Sequence, residues 1–313
     1  ACTIIIMITL PTTWYASTTV CAPSVTMTLD IPYAPDHDKA HRLDIFQPNS
    51  APSSPEALPV IVNVHGGGLL LGNKEFNQYF CAKLCTLGFL VFNVEYRLIP
   101  DCQIYDQIAD IFLALDFIQG QLAKYQGDQD KVYAVGDSGG ACLLVYTAAA
   151  QRNPKVAQAA GVTPSALPLN ALGLISGMFY TNKPDQIGLF MPRYLYGKHY
   201  KKSAFAPYVN PEHPDIIRSL PPCFLVTSGK DHLRHYTMQF KMALDAARME
   251  SAIMDFPDDK RLTHAFRAFE PELPESTQTL EAIAEYIRQF FELCEDTATF
   301  LHEKQKKMRF YFV

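Results

Sequence analysis

The chain has 313 residues, of which 48% are hydrophobic, enough to bury a sizeable core in one domain with insertions. Its 27 basic and 32 acidic residues leave a net charge of −5, which excludes the basic excess expected of a nucleic-acid binder. The eight cysteines form no CxxC pair and no ligand-spaced cluster, so free, buried thiols in a reducing, cytoplasmic compartment are expected.

The first apolar run, Thr3 to Leu10, follows no Lys or Arg and is followed by Pro11 and Trp14. It is far shorter than the roughly 20 residues of a membrane span, and its Ile and Thr content suits a strand. Met27 to Ile31 and Arg42 to Phe46 are predicted as a leading strand pair around a turn-rich Ala34 to Lys39, and Asn49 to Pro59 as an exposed loop. Val60 to Val64, Phe89 to Val94, Val132 to Val135, Leu172 to Ile175 and Phe224 to Thr227 are near-continuous apolar runs. Runs of that kind belong to strands covered on both faces, as in parallel sheets. Ile253 to Phe256 is predicted as the last strand. Helical patterns occupy Phe76 to Thr86, Ile104 to Tyr125, Ala141 to Gln151, Tyr236 to Met249 and Thr277 to Leu293.

This alternation predicts an α/β fold, a mostly parallel doubly wound sheet with helices on both faces and its site at the carboxyl ends of the strands. Residues 179–220, rich in Tyr, Pro and Lys, are too long for an ordinary connection and are expected to cover that site. Tyr180, Phe190, Tyr194, Tyr196, Tyr200, Phe205 and Tyr208 crowd the insertion, either to bind a substrate or to pack its own core.

Gly136-Asp137-Ser138-Gly139-Gly140 lies between a predicted strand and a predicted helix, the context of a nucleophile elbow. The turn strains the serine backbone and demands small residues two before and two after it, met by Gly136 and Gly140. The same five letters surround the nucleophile of all-β proteases, but there His and Asp precede the Ser, and the recurring helices here argue against that fold. His65-Gly66-Gly67-Gly68 follows Val60 to Val64. Its glycines would let backbone amides join that of Gly139 around an oxyanion, with His65 as an anchor of the loop. A phosphate loop is disfavoured because neither GxGxxG nor Gly-Lys-Ser/Thr is present. Asp231 follows the strand ending near Thr227, with helix capping as its bland alternative, and His264 follows the last strand. The order Ser138, Asp231, His264 is that of nucleophile, acid and base in this class of sheet. His232 and His235 beside Asp231 suggest a metal pair without a convincingly spaced third ligand, so no metal and no cofactor are called for.

On these residues, with Glu95-Tyr96-Arg97-Leu98, Pro100, Leu233 and Phe266, the chain resembles the hormone-sensitive-lipase-like branch of the α/β-hydrolases, the acetyl esterases and carboxylesterases, over roughly residues 40 to 295. The resemblance implies catalytic Ser138, Asp231 and His264, and an oxyanion hole of Gly67, Gly68 and Gly139. It implies hydrolysis of short-chain, possibly acetyl, esters through an acyl-enzyme. The alternatives are an amidase or peptidase on the same triad, or a non-catalytic binding protein of the same fold. Residues 26–178 and 221–295 would form the catalytic domain, 1–25 and 179–220 a cap, and 296–313 a basic, then aromatic tail. The expected partner is a small-molecule ester, with no nucleic acid and no membrane span, and oligomerisation is left open. The chain departs from the family at Leu69, usually aromatic, at Gly139, commonly Ala, at Ala265, usually Gly, and at Arg234-His235 where an acidic pair is frequent.

Overall fold

The computed structural model describes residues 24–49 and 57–290. The expected segment 1–25, save its last two residues, and the whole tail 296–313 lie outside them. Eight strands form one sheet: β1 (Val25–Pro32), β2 (Arg42–Pro48), β3 (Leu58–Val64), β4 (Leu90–Val94), β5 (Gly127–Asp137), β6 (Leu172–Ile175), β7 (Cys223–Ser228) and β8 (Ser251–Phe256). Their order across the sheet is β1-β2-β4-β3-β5-β6-β7-β8. Only the pairings of β2 with β1 and with β4 are antiparallel, and the remaining ladders are parallel. The eight strands expected from Met27 onward are present, as the mostly parallel α/β sheet requires, and the strand suggested for Thr3 to Leu10 lies outside the described residues.

Helices α1 (Gln78–Thr86), α2 (Ile104–Tyr125), α3 (Gly139–Arg152), α4 (Pro154–Ala160), α5 (Gln186–Phe190), α6 (Pro192–Leu195), α7 (Pro214–Ile217), α8 (Arg234–Ala246), α9 (Phe266–Phe269) and α10 (274–290) complete the described chain. Alternate side chains of each central strand enter two cores. Val60, Val62 and Val64 pack with α2, α3 and α8 on one face, and Ile61 packs with α1 and α10 on the other. Burial on both faces is why these strands read as near-continuous apolar runs.

Several boundaries differ from the sequence reading. The first helix is preceded by a 3-10 turn over Lys74–Asn77. The helix after Ser138 begins at Gly139 rather than Ala141, because the serine itself is its flanking residue. Helix α8 starts two residues earlier and stops at Ala246, where the chain turns over to put Arg248 at a positive φ of 57°. Helix α4 was not expected. Asn153 caps it by accepting from the Lys155 amide at 3.0 Å, with Pro154 at its first position.

Most aromatic residues of 179–220 fall into two groups, with Tyr200 half-buried between them. Tyr180, Tyr196, Phe205 and Tyr208 are buried, whereas Phe190 and Tyr194 are exposed. The Phe205 ring lies 5.2 Å from Tyr105, 5.6 Å from Tyr146, 5.9 Å from Tyr196 and 5.7 Å from Tyr208, centroid to centroid. Packing, not substrate binding, therefore accounts for the buried four. Phe205→Ala is expected to lower unfolding free energy by about 3–5 kcal/mol, from lost burial and a residual cavity. Urea unfolding checks this, and an unchanged midpoint would mean that the segment is not part of the cooperative core. Among the described residues no helix is long and apolar enough to cross a membrane.

Candidate active site

The parallel strands deliver their functional residues to one edge. β5 ends at Asp137, so Ser138 sits in the turn to α3, and β3, the neighbour of β5, delivers His65 to Gly68 beside it. β7 and β8 deliver Asp231 and His264 from further along the same edge.

Ser138 has φ 50° and ψ −113°, a region that a residue with a side chain occupies only when its surroundings force it there. Three backbone bonds do so: the Ser138 amide donates to the Ile175 carbonyl at 2.8 Å, and its own carbonyl accepts from Cys142 at 3.2 Å and Met178 at 3.0 Å. The flanking positions admit no side chain. A Cβ on Gly140 would lie 2.3 Å from the Val64 carbonyl oxygen, and one on Gly136 would lie 2.9 Å from the Gly140 carbonyl carbon.

His264 Nε2 is 2.8 Å from Ser138 Oγ, and its Nδ1 is 2.7 Å from Asp231 Oδ1. Oδ1 of Asp231 also accepts from the Leu233 amide at 2.9 Å, while Oδ2 accepts from the Thr227 hydroxyl at 3.1 Å. Burial of the Asp231 carboxyl opposes its ionisation. The hydrogen bond and charge of His264, then the Leu233 amide and the Ser176 hydroxyl, outweigh burial and hold the group at about 2. Asp231 is therefore an anion at any working pH.

The glycine loop is fixed from beneath. The His65 ring is fully buried and stacks on Tyr96 at 4.4 Å. Its Nδ1 is 2.8 Å from the Gly66 carbonyl, and its Nε2 is 2.8 Å from Glu95 Oε1. Tyr96 donates its hydroxyl to the His65 carbonyl at 2.8 Å. Gly66 faces Asp137 so closely that a Cβ there would meet Asp137 Oδ2 at 2.2 Å, and Asp137 Oδ1 is in turn held by Asn77 at 2.8 Å. Gly67 has φ +100°, and its carbonyl takes the amides of Leu70 and Leu71 at 3.2 and 3.0 Å. The backbones of Gly68 and Gly139 run side by side: a Cβ on Gly139 would stand 3.0 Å from the Gly68 nitrogen. The structure thus gathers Ser138, Asp231, His264, Gly67, Gly68 and Gly139 at one place, with His65, Gly66, Gly136 and Gly140 as their scaffold.

Other residues at the site were not anticipated. Ser176, after β6, is buried at φ 51° and accepts the Ala265 amide on its hydroxyl at 3.2 Å. Ala265 itself has φ 51°, the backbone reason that glycine is usual at this position. Gln107 donates to the carbonyls of Leu69 at 3.0 Å and Arg97 at 2.7 Å. A buried polar residue on an otherwise apolar helical face was the available signal for Gln107, and Ser176 had only its place at a strand end. His232 is exposed, and its ring centroid lies 4.4 Å from that of His264. Desolvation by neighbouring atoms, then the His264 ring, lowers the His232 pKa. His235 instead turns toward Tyr236, at 4.4 Å.

A family model described as the alpha/beta hydrolase fold matches residues 61–267. The chain belongs to the α/β-hydrolase family. Among curated relatives, it is 29% identical over 200 residues to a probable isoprenylcysteine alpha-carbonyl methylesterase of Arabidopsis thaliana, a match that covers 61% of this chain and 41% of that protein. This α/β-hydrolase spans less than half the length of the first such relatives it matches. Among solved structures, esterase B of Lactobacillus rhamnosis superposes with a TM-score of 0.81 at 22% identity, covering 88% of this chain and 90% of that one. An esterase of the archaeon Pyrobaculum calidifontis superposes with a TM-score of 0.62 at 25% identity, covering 80% and 81% of the two chains. The expected α/β-hydrolase fold is thereby confirmed.

Proposed function

We propose that this α/β-hydrolase is a serine carboxylic-ester hydrolase acting on short-chain acyl esters, with Ser138 as nucleophile, His264 as base and Asp231 as the acid that orients it. The observation that carries the reading is the continuous chain from Ser138 Oγ through His264 to Asp231, with links of 2.8 and 2.7 Å. The esterase and methylesterase names of the relatives and neighbours support the same chemistry.

In this reading His264 Nε2 accepts the Ser138 proton as Oγ adds to the ester carbonyl. The negative charge that forms on the carbonyl oxygen meets the amides of Gly67, Gly68 and Gly139, each worth about 10²–10³ in turnover. His264 returns the proton to the departing alcohol, leaving an acyl group on Ser138. Water then attacks the acyl carbon, giving its proton to His264, and the acid leaves as Ser138 recovers a proton. Asp231, already an anion, stabilises the imidazolium in both halves. Residues 179–220 would cap the site, for they leave β6 beside the elbow, where Met178 bonds the Ser138 carbonyl. A cytoplasmic location is supported by Cys85, Cys102, Cys142 and Cys223, which are buried free thiols. The short-acyl preference rests on the family resemblance.

A panel of p-nitrophenyl esters from acetate to octanoate tests the reading. We expect kcat/KM to be highest at two to four carbons, about tenfold above the longest chain for a site that cannot bury extra methylenes, and a fluorophosphonate to label Ser138. Absence of both turnover and label would reject the activity. A rate that rises with chain length would reject only the short-acyl assignment.

A further inference from the structure

We propose a metal-binding site on the catalytic edge, formed by His232, His264 and Asp231, that takes a borderline transition-metal dication such as Zn²⁺ and switches the hydrolase off. It rests on the reading of His264 as the base for its consequence, but not for its existence.

Each of the three residues offers one ligand atom, and these atoms lie within 4.8 Å of one another. Ligands of a tetrahedral zinc sit about 2.0–2.2 Å from the metal, hence roughly 3.4 Å apart. His232, an exposed residue whose ring centroid lies 4.4 Å from that of His264, would supply the third ligand by turning its ring toward the pair. The other two ligand atoms already face each other, His264 Nδ1 and Asp231 Oδ1 being 2.7 Å apart, so a metal would take the place of the proton they share. The Asp231 carboxylate is anionic, and the Leu233 amide and Thr227 hydroxyl fix it. Such outer partners hold a ligand in a binding orientation. Two imidazoles and one carboxylate suit zinc, copper or nickel, whereas magnesium and calcium prefer all-oxygen sites. The sequence alone lacked a third ligand for the His232 and His235 pair. The fold supplies His264 from 32 positions further along and turns His235 toward Tyr236.

The consequence for catalysis follows from imidazole chemistry. A neutral ring carries one proton and one lone pair. Asp231 lies on the Nδ1 side of the ring, so the metal would be held by Nδ1. Metal on Nδ1 moves the ring proton to Nε2, which then faces Ser138 as a donor. Ser138 keeps its proton and the ester bond is not attacked.

The test uses the full chain, freed of metal with a chelator, and p-nitrophenyl acetate as substrate. Zinc chloride is expected to inhibit it and EDTA to reverse the inhibition, with magnesium chloride at the same concentration without effect. His232→Gln, measured against its own zinc-free rate, should raise the zinc concentration for half-inhibition about tenfold or more, and His235→Gln should leave it unchanged. Calorimetry of zinc into Ser138→Ala should show one site per chain, lost when His232→Gln is added. Equal zinc sensitivity in the wild type and His232→Gln, or an unchanged calorimetric site, would overturn the proposal. Because calorimetry needs no turnover, a chain that hydrolyses no ester would refute the esterase reading while the metal site is still decided.

Discussion

Ser138→Ala should lower kcat for an activated acetate ester by a factor on the order of 10⁶, the loss seen when the nucleophile of a triad is removed. The variant separates chemistry from folding unusually well at this position. Oγ makes its hydrogen bond to His264 Nε2, while the strained backbone is held by the bonds to Ile175, Cys142 and Met178, which alanine keeps. The Cβ is retained, so the close contacts around Gly136 and Gly140 are unchanged. The urea midpoint should therefore match that of the wild type even as turnover vanishes. The residual rate should be that of water reacting beside the glycine loop, about 10³-fold above solution. A variant that hydrolysed the ester at the wild-type rate would show that another group attacks, and the geometry around His264 would then have to be assigned a different purpose.

The tight turn at Ser138 could be read in the sequence because steric demand writes itself into residue type. Gly136 and Gly140 are forced by backbone atoms within 3 Å of where a side chain would begin, and His65 to Gly68 by an equally tight loop. The strands were legible for a similar reason, since burial on both faces leaves β3, β4 and β7 almost wholly apolar, with Asn63, Asn93, Thr227 and Ser228 admitted where each finds an internal hydrogen-bond partner. Asp231 and His264 could be inferred only from their order after strands. Their meeting depends on β7 and β8 lying parallel and in register from Cys223 and Ser251 to Ser228 and Phe256. The contacts of Ser176, Thr227 and His232 were out of reach. Each is made across loops between residues whose types are common there, and nothing in local propensity distinguishes a serine that accepts the Ala265 amide from any serine at a strand end. Helix α4 was missed because its few small residues carry little periodicity, although Asn153-Pro154 is a recognisable start signal.

Asp231→Ala and Asp231→Asn should differ, and the difference follows from the Leu233 amide. Removing the carboxylate in Asp231→Ala leaves Nδ1 of His264 without its partner, so the ring loses both its orientation and the charge that stabilises the imidazolium. A fall in kcat of about 10⁴ is expected. An asparagine can present either oxygen or nitrogen to His264. With nitrogen there, it would donate to Nδ1, drive the ring proton to Nε2 and disable the base, the tautomer error that costs about 10⁴ in other triads. In this hydrolase, however, the position now filled by Oδ1 accepts from both the Leu233 amide and His264. An amide nitrogen placed there would set two donors against each other at 2.9 Å. On the other side the Thr227 hydroxyl can reverse and accept from an amide nitrogen at the position of Oδ2. The oxygen therefore faces His264, the tautomer survives, and the loss is confined to the negative charge. Its magnitude should be nearer the 10²–10³, on the order of one preorganised electrostatic partner. Steady-state kcat on p-nitrophenyl acetate for both variants decides the matter. Equal losses would mean that Leu233 does not select the amide orientation, and wild-type rates in both would place the acid elsewhere.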